Sequence, residues 1–535
     1  MYVAAITHRA PQSSRRRVMP SLSALGVVLA LTGCGAADAE SETQQGPPHQ
    51  SFVTRPDLQP VELQVTHGEA WSEEYAESDE YIFVTPDFDA DTPSSAATIL
   101  DATGEVVWMD PSKQHRNDNG HFDLRVQEYQ GEPVLTYFKG PAEDGWGYGD
   151  IYLMDDTYHV FTTVTTGGSL PPHETDFHDT VITDDDTMLV MAYVTTQTDL
   201  TEVGGPADGW VHDGVVQEID IETGEVLFEW SSLDHVPVTE ALHDFEDEYA
   251  EQQDRIDAGD EHAELGTRDK PYDYFHINSA TLDDDDNILI SARHTHAVYK
   301  LDRDTGEVLW TLGGTASDFD MSEDAVFAWQ HSAARDTDGT LVLFDNHIRE
   351  ADAEESSRGL RLDLDEDAMT AEVVTEYLPP EDRPSGWMAN TQLLDNGDVF
   401  IGWGSQPYFS EYTRDGELIY DVCHGDACHD DEDIDAGGDS YRAYKGTWEG
   451  HPTTDPDVVV QQNDQNQDHV YVSWNGATEV AQWRLVTGDD ADSATEATVV
   501  DKQGFETAIP LETAADYVAV EALDADGQVL ATGTP

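Results

Sequence analysis

One unit of this chain, a turn followed by a short strand, returns several times and leaves few folds open. Thr103-Gly104-Glu105-Val106-Val107-Trp108 recurs as Thr223-Gly224-Glu225-Val226-Leu227-Phe228-Glu229-Trp230, then as Thr305-Gly306-Glu307-Val308-Leu309-Trp310, and more loosely as Asp415-Gly416-Glu417-Leu418-Ile419-Tyr420. A second half-unit accompanies it: a polar residue, a short strand, an acidic turn and a strongly apolar strand. That half begins at His178, His276, His331 and Asn390. Repeated strand–turn–strand pairs of this kind predict four-stranded antiparallel meanders, the blades of a β-propeller. Strands from Tyr81 and from His121 bring the expected number to five or six. An acidic stretch, Glu240 to Asp260, lengthens one unit and has the character of a helical insertion.

From about residue 466 the pattern changes. His469-Val470-Tyr471-Val472-Ser473-Trp474, Glu479 to Leu485 and Tyr517 to Leu523 alternate apolar and polar residues around a tryptophan. A small C-terminal β-sandwich over 466–535 is expected, with one more blade as the competing assignment. The fold class read from the sequence is therefore all-β, with a propeller over 66–465.

The 535 residues carry 25 Lys and Arg against 111 Asp and Glu, a formal net charge of −86. A polyanionic nucleic acid would be repelled, so no nucleic-acid partner is expected. The acid is dispersed among turns such as Asp283-Asp284-Asp285-Asp286, which suggests a high-salt habitat where self-repulsion is screened. Calcium binding by such runs is the alternative.

The amino terminus has the pattern of a targeting segment. Arg15, Arg16 and Arg17 precede an apolar run, Ser21 to Leu31, too short to span a bilayer as a permanent helix. Leu31-Thr32-Gly33-Cys34 then has the form of a lipobox. This predicts a lipoprotein signal peptide over 1–33, lipidation at Cys34, a linker over 34–65, and an exported protein that meets the membrane only through its anchor. Ser14-Arg15-Arg16 would also suit a twin-arginine signal. Cys423 and Cys428, in Cys423-His424-Gly425-Asp426-Ala427-Cys428-His429, are expected as a small disulfide or as free thiols. A Cys₂His₂ metal site is the sharper alternative, crowded for zinc within seven residues.

The repeat also gives the chemistry its geometry. His178, His276 and His331 hold the same place in their units, so in a propeller they converge on one axial pocket. Arg293 ends the strand that pairs with that of His276, and Asn278, two residues past His276, is expected on the same face. Imidazoles serve as nucleophiles, acids or donors near neutral pH, and a guanidinium fork suits an oxyanion. Together they suit a tetrahedral anion such as sulfate or phosphate. A three-histidine zinc site is the nearest rival.

Several of these segments resemble the bacterial arylsulfate sulfotransferase family, over roughly residues 75–425. They are Tyr274-Phe275-His276-Ile277-Asn278-Ser279, Leu289-Ile290-Ser291-Ala292-Arg293, Thr305 to Gly314, Phe327-Ala328-Trp329-Gln330-His331, Leu343-Phe344-Asp345-Asn346 and Ser356 to Leu360. Ser473-Trp474-Asn475-Gly476-Ala477-Thr478 is similar to a module appended in one branch of that family. The resemblance implies a six-bladed propeller with a fibronectin III-like module, moving a sulfuryl group from an aryl sulfate to a phenol through a sulfohistidine. It implies no cofactor and no metal. Carried over by motif, His331 is the nucleophile, His276, Asn278 and Arg293 hold the sulfuryl oxygens, and His178 completes the pocket, with His173 close by in sequence. A noncatalytic propeller binding anionic or aromatic ligands is the alternative function. A quinone-dependent dehydrogenase is disfavoured, for want of an adjacent-cysteine pair. The oligomeric state is left open.

Overall fold

Each Thr-Gly-Glu turn is built the same way, from the aspartate that precedes it. Asp220 Oδ1 accepts from the Thr223 amide and hydroxyl, both at 2.7 Å, and Asp302 does the same for Thr305 at 2.8 Å. The glycine that follows sits at φ of 70° in Gly224 and 74° in Gly306, a conformation that a side chain would oppose. The next residues then enter a strand, Val226–Ser231 or Val308–Gly313, whose aromatic end packs inward. Many of the acidic residues thus serve their own backbone.

The structure, a computed structural model, describes residues 49–535 apart from 77, 89–93, 113–118, 144, 259–263, 348–355, 426–427, 429–436 and 464. The predicted signal peptide, Cys34 and His429 lie outside the described residues. No described helix is long and apolar enough to cross a membrane.

The protein is all-β, made of small antiparallel sheets. Among the described residues, seven have four or five strands, and six of these make one series. They begin with Gly120–Tyr129, Val181–Ile182, Ile277–Leu282, His331–Arg335, Asn390–Leu393 and Ala443–Thr447. Neighbouring sheets abut in that order through their first or second strands, and Ala443–Thr447 abuts Gly120–Tyr129, so the series closes on itself. The closing sheet joins distant parts of the chain: Ala443–Thr447 pairs with Glu80–Val84, which pairs with Thr98–Leu100 and Val106–Met109. Interiors are apolar. One cluster combines Met191, Val216, Trp230, Phe275, Ile290 and Tyr299, all 2% exposed or less, from two neighbouring sheets.

Three inner strands share an irregularity at their start. The pairing register shifts between Phe122 and Arg125, between Ile277 and Ser279, and between His331 and Ala334. Asp123, His276 and Ser332 take positive φ at these places (59°, 51° and 57°), backbone that costs energy for residues with side chains. The insertion forms a helix, Phe245–Ala258, as the sequence suggested.

Residues 457–533 form two further sheets. Asp457–Gln462, Asp468–Ser473 and Glu506–Pro510 make one; Thr495–Asp501, Gln482–Gly488, Tyr517–Leu523 and Val529–Gly533 make the other. Val470, Val472, Trp483, Ile509 and Val520 form their common apolar cluster, and the sheets are separate from the series of six. The first of these strands lies before the expected boundary at 466, because it pairs along its length with Asp468–Ser473. The Asn475-Gly476 motif docks this part onto Val106–Met109. Asn475 Oδ1 accepts from the Met109 amide and its Nδ2 donates to the Met109 carbonyl, both at 3.0 Å, while a Cβ on Gly476 would strike Tyr158 at 2.3 Å.

The expected linker over 34–65 is corrected over its described residues. Leu58 is buried, Phe52 lies 4.5 Å from Phe505, and the Thr54 amide donates to Glu506 at 2.6 Å. Gln64–His67 adds a fifth strand to the sheet that starts at Asn390. Burial of apolar groups, invisible in the composition of this stretch, fixes it. Cys423 and Cys428 are joined as a disulfide. In the acidic run, Lys300 Nζ lies 2.8 Å from Asp283 and 2.9 Å from Asp285, so part of this charge is paired within the protein.

Candidate active site

A cavity of about 400 Å³ opens among the sheet ends and is lined by His178, His276, Arg293 and His331. Four residues spread over more than 150 positions of sequence thus share one space. The rings of His178 and His276 meet edge to face at 5.1 Å. His173 does not take part: its ring is exposed and pairs with Asp150 at 2.8 Å. His347 is also exposed, at 41% of its side chain.

His331 opens its strand and is buried. Its Nδ1 lies 2.7 Å from Asn346 Oδ1. The Asn346 amide cannot turn over, because its Nδ2 donates to the carbonyls of Ser385 at 2.8 Å and Met388 at 3.2 Å. The oxygen therefore faces the ring, Nδ1 carries the proton, and the lone pair is on Nε2. The Met388 amide approaches Nε2 at 3.3 Å, a long and weak engagement. Burial, with the Arg293 charge beside it, holds this imidazole well below its usual pKa, so it is neutral in ordinary buffers.

The other two histidines have carboxylates behind them. His276 Nδ1 lies 2.5 Å from Asp273 Oδ2, and His178 Nδ1 contacts Asp176 Oδ1 closely. Asp176 is fixed in turn by the Gly147 amide at 2.7 Å. Burial lowers the pKa of His276, opposed by Asp273, while His276 and His294 hold Asp273 well below the usual carboxylate range in spite of its burial. Each ring thus turns Nδ1–H to an acid and Nε2 away from it, the arrangement of an oriented general base.

Arg293 follows its strand by one residue. Its guanidinium stacks over Trp329 at 4.8 Å and donates to the Gly386 carbonyl at 3.0 Å. Trp387, Met388, Phe177 and Tyr441 also line the cavity, with Trp387 43% exposed.

Asn278 departs from the expectation. It is fully buried, does not line the cavity, and donates through Nδ2 to the Gln330 carbonyl at 2.7 Å. The register shift beside it breaks the alternation on which its placement relied. It braces the residue before His331. Sequence reasoning missed Asp176, Asp273 and Asn346; their only signals are the short spacings Asp176 to His178 and Asp273 to His276, and the Asp345-Asn346 pair. Asp273, His276 and His294 offer ligand atoms within 4.8 Å of one another, as a metal site would; His276 Nδ1 is hydrogen-bonded to the Asp273 carboxylate and His294 Nδ1 to the Asp273 carbonyl.

A family model described as arylsulfotransferase (ASST) matches residues 125–425, more than half the chain, a span that includes His178, His276, Arg293 and His331. The chain belongs to the arylsulfotransferase family. Sulfuryl transfer is thereby its chemistry at the level of the family. No curated protein matches the sequence. Among solved structures, a protein of unknown function from Bacteroides caccae is 13% identical, with 69% of this chain and 99% of that one covered and a TM-score of 0.38. The periplasmic gluconolactonase of Pseudomonas aeruginosa is 11% identical, covering 80% and 99%, with a TM-score of 0.33. A virginiamycin B lyase from Staphylococcus aureus is 9% identical, covering 76% and 94%, with a TM-score of 0.30. Likenesses at this level carry nothing about chemistry.

Proposed function

We propose that this arylsulfotransferase family member moves a sulfuryl group from an aryl sulfate to an acceptor phenol through a sulfohistidine at His331, without a nucleotide donor, cofactor or metal. The observation that carries the reading is the state of His331: buried, neutral, with Nδ1–H locked on Asn346 and the lone pair on Nε2. In the first half-reaction Nε2 attacks sulfur and gives up its weak bond from Met388. The bond from sulfur to the aryl oxygen breaks, and the aryloxide leaves. The ring then carries positive charge, and Asn346 Oδ1 stabilises the Nδ1–H that results.

Arg293 supplies fixed donors to the sulfuryl oxygens. His276 and His178, with Asp273 and Asp176 behind them, handle the proton. One of their Nε2 atoms takes the proton of the acceptor phenol, whose oxygen attacks sulfur and breaks the bond to His331, and that proton then passes to the aryloxide released in the first half-reaction. Each cycle returns the enzyme to its starting state. Asn278 holds the backbone before the nucleophile and meets no sulfuryl oxygen.

The closed series of six sheets supports a six-bladed propeller, and residues 457–533 a fibronectin III-like module; the propeller then ends near 456. The basic, apolar and lipobox segments of the amino terminus support export and lipid anchoring at Cys34, on the outer side of a membrane. The test is a chromogenic aryl sulfate incubated with the purified protein in high salt, with and without excess phenol. Release that requires phenol is the expected result. Release into water alone would make the protein a sulfatase, and no release, with ligand still bound, a binding module.

A further inference from the structure

Arg293 must aim a charged fork into the cavity from a position just past the end of its strand, and the strand itself does not fix that aim. One of its partners is His294: Arg293 Nη1 lies 2.9 Å from His294 Nε2. An imidazole accepts there only when Nε2 lacks a proton and Nδ1 has one. His294 Nδ1 lies 2.5 Å from the Asp273 carbonyl oxygen, an acceptor for that proton. Burial also holds this imidazole well below its usual pKa. The ring is neutral, and its tautomer is set from behind.

The backbone of His294 is gripped by the insertion. Its carbonyl accepts from the Leu242 amide at 2.7 Å and the His243 amide at 3.2 Å, and the His243 ring packs against it with centroids 4.4 Å apart. Its own amide donates to the Phe275 carbonyl at 3.1 Å. Leu242 and His243 lie immediately before the Phe245–Ala258 helix. The insertion therefore buttresses the residue that holds the guanidinium.

We propose that His294 is a positioning residue for Arg293, a neutral acceptor that aims the guanidinium at the substrate's anionic group without neutralising it. A carboxylate in the same place would pair with the guanidinium and compete with the oxyanion. The inference rests on the reading of the cavity as the sulfuryl-transfer site.

The test uses the full-length protein, reading kcat/KM for a chromogenic aryl sulfate at saturating phenol together with the Kd of the aryl sulfate by calorimetry. His294→Phe keeps the ring shape and removes the acceptor; it lowers kcat/KM about tenfold to a hundredfold, the scale of a lost hydrogen bond to a charged group. His294→Gln, whose side-chain carbonyl reaches the Nε2 position, recovers it to within about threefold of wild type. In Arg293→Ala, adding His294→Phe costs nothing further. Near-UV circular dichroism reports the fold of each variant. Should His294→Phe not fold, His294→Asn replaces it, since its shorter amide reaches only the Nδ1 position. The proposal is overturned if Gln is as poor as the variant without the acceptor, or if the losses at 293 and 294 add. If Arg293→Ala leaves both kcat/KM and Kd unchanged, the transfer-site reading falls and this inference with it; if Arg293→Ala matters and no substitution of His294 does, this inference falls alone.

Discussion

Two buried polar clusters lie on the inner strands of this protein, and they are satisfied in opposite ways. In one, Arg442 Nη1 lies 2.9 Å from Asp179, Arg125 Nη2 lies 2.7 Å from Asp179 and 3.3 Å from Asp123, and Tyr444 donates to Asp123 at 2.9 Å. Arg442 also donates to the Asn278 carbonyl at 3.0 Å. Two acids and two guanidinium groups face each other, and their charge is spent within the protein. In the other cluster the acids stand behind the imidazoles, Asn346 and His294 are neutral, and the polar atoms left over point at a cavity. Burial is common to both. What separates a fastening from a reaction site is where the uncompensated donors and lone pairs point.

The largest expected contrast comes from removing one member of each. His331→Ala takes away the only atom proposed to bond sulfur, so transfer falls by roughly 10⁴-fold or more and no sulfuryl adduct is seen by mass spectrometry. Its unfolding free energy falls by only about 1–3 kcal/mol, since Asn346 Oδ1 loses its donor but no buried charge loses its partner. Arg442→Ala does the reverse. It leaves Asp123 and Asp179 to share one guanidinium, and unfolding free energy drops by about 3–5 kcal/mol. An adduct that persists in His331→Ala and maps to His276 or His178 would move the nucleophile within the pocket. A stable, well-folded Arg442→Ala would erase the distinction between the clusters.

The same contrast explains what could be read from residues alone. The repeat placed His178, His276, Arg293 and His331 together because it fixes topology, and topology is encoded by turns with strong local chemistry, such as Asp302 with Thr305. The fastening was illegible. Arg442 precedes a strand whose partner is Glu80–Val84, more than 350 residues away, and neither segment carries the repeat. Asp176, Asp273 and Asn346 were missed because a residue that orients another needs only to reach it, and leaves no pattern of its own. Asn278 was misplaced because a bulge defeats the two-residue period of a strand.

Acid separates the clusters by pH. Burial holds His331 and His294 well below the usual imidazole range, and His121, His296 and His424 at about 4. The unfolded chain takes protons at these sites from about pH 6.5 downward while the folded protein does not. Stability therefore falls as pH drops from about 6.5 toward 4, by about 1.4 kcal/mol per pH unit for each such histidine. Against its burial, Asp179 is held below its ordinary value by Arg442 and Arg125, so its pairing contributes until the pH falls further, through its folded pKa, whereas burial raises Asp123 above its ordinary value. Urea midpoints measured from pH 7 to 4, in salt high enough to screen the net charge, show the slope. A flat profile over that interval would mean that these histidines are not buried in their neutral form.

The smallest effect is expected where the clusters meet. Tyr441 lines the cavity with its ring 5.5 Å from His178, and the Arg442 guanidinium lies 5.3 Å from the centre of the same ring. Its hydroxyl is buried and has no hydrogen-bond partner among the described residues. An unsatisfied buried hydroxyl costs free energy, and its removal with the ring left in place is neutral or stabilising. Tyr441→Phe should therefore leave the denaturant midpoint unchanged or raise stability by up to about 1 kcal/mol. If the hydroxyl belongs with the fastening, kcat/KM for an aryl sulfate stays within about twofold of wild type, since nothing facing the substrate has changed. A tenfold fall in kcat with stability intact would instead give the hydroxyl to the reaction, as a donor kept unpaired for the sulfuryl oxygens. The boundary between the two clusters would then run through Arg442 rather than through Tyr441.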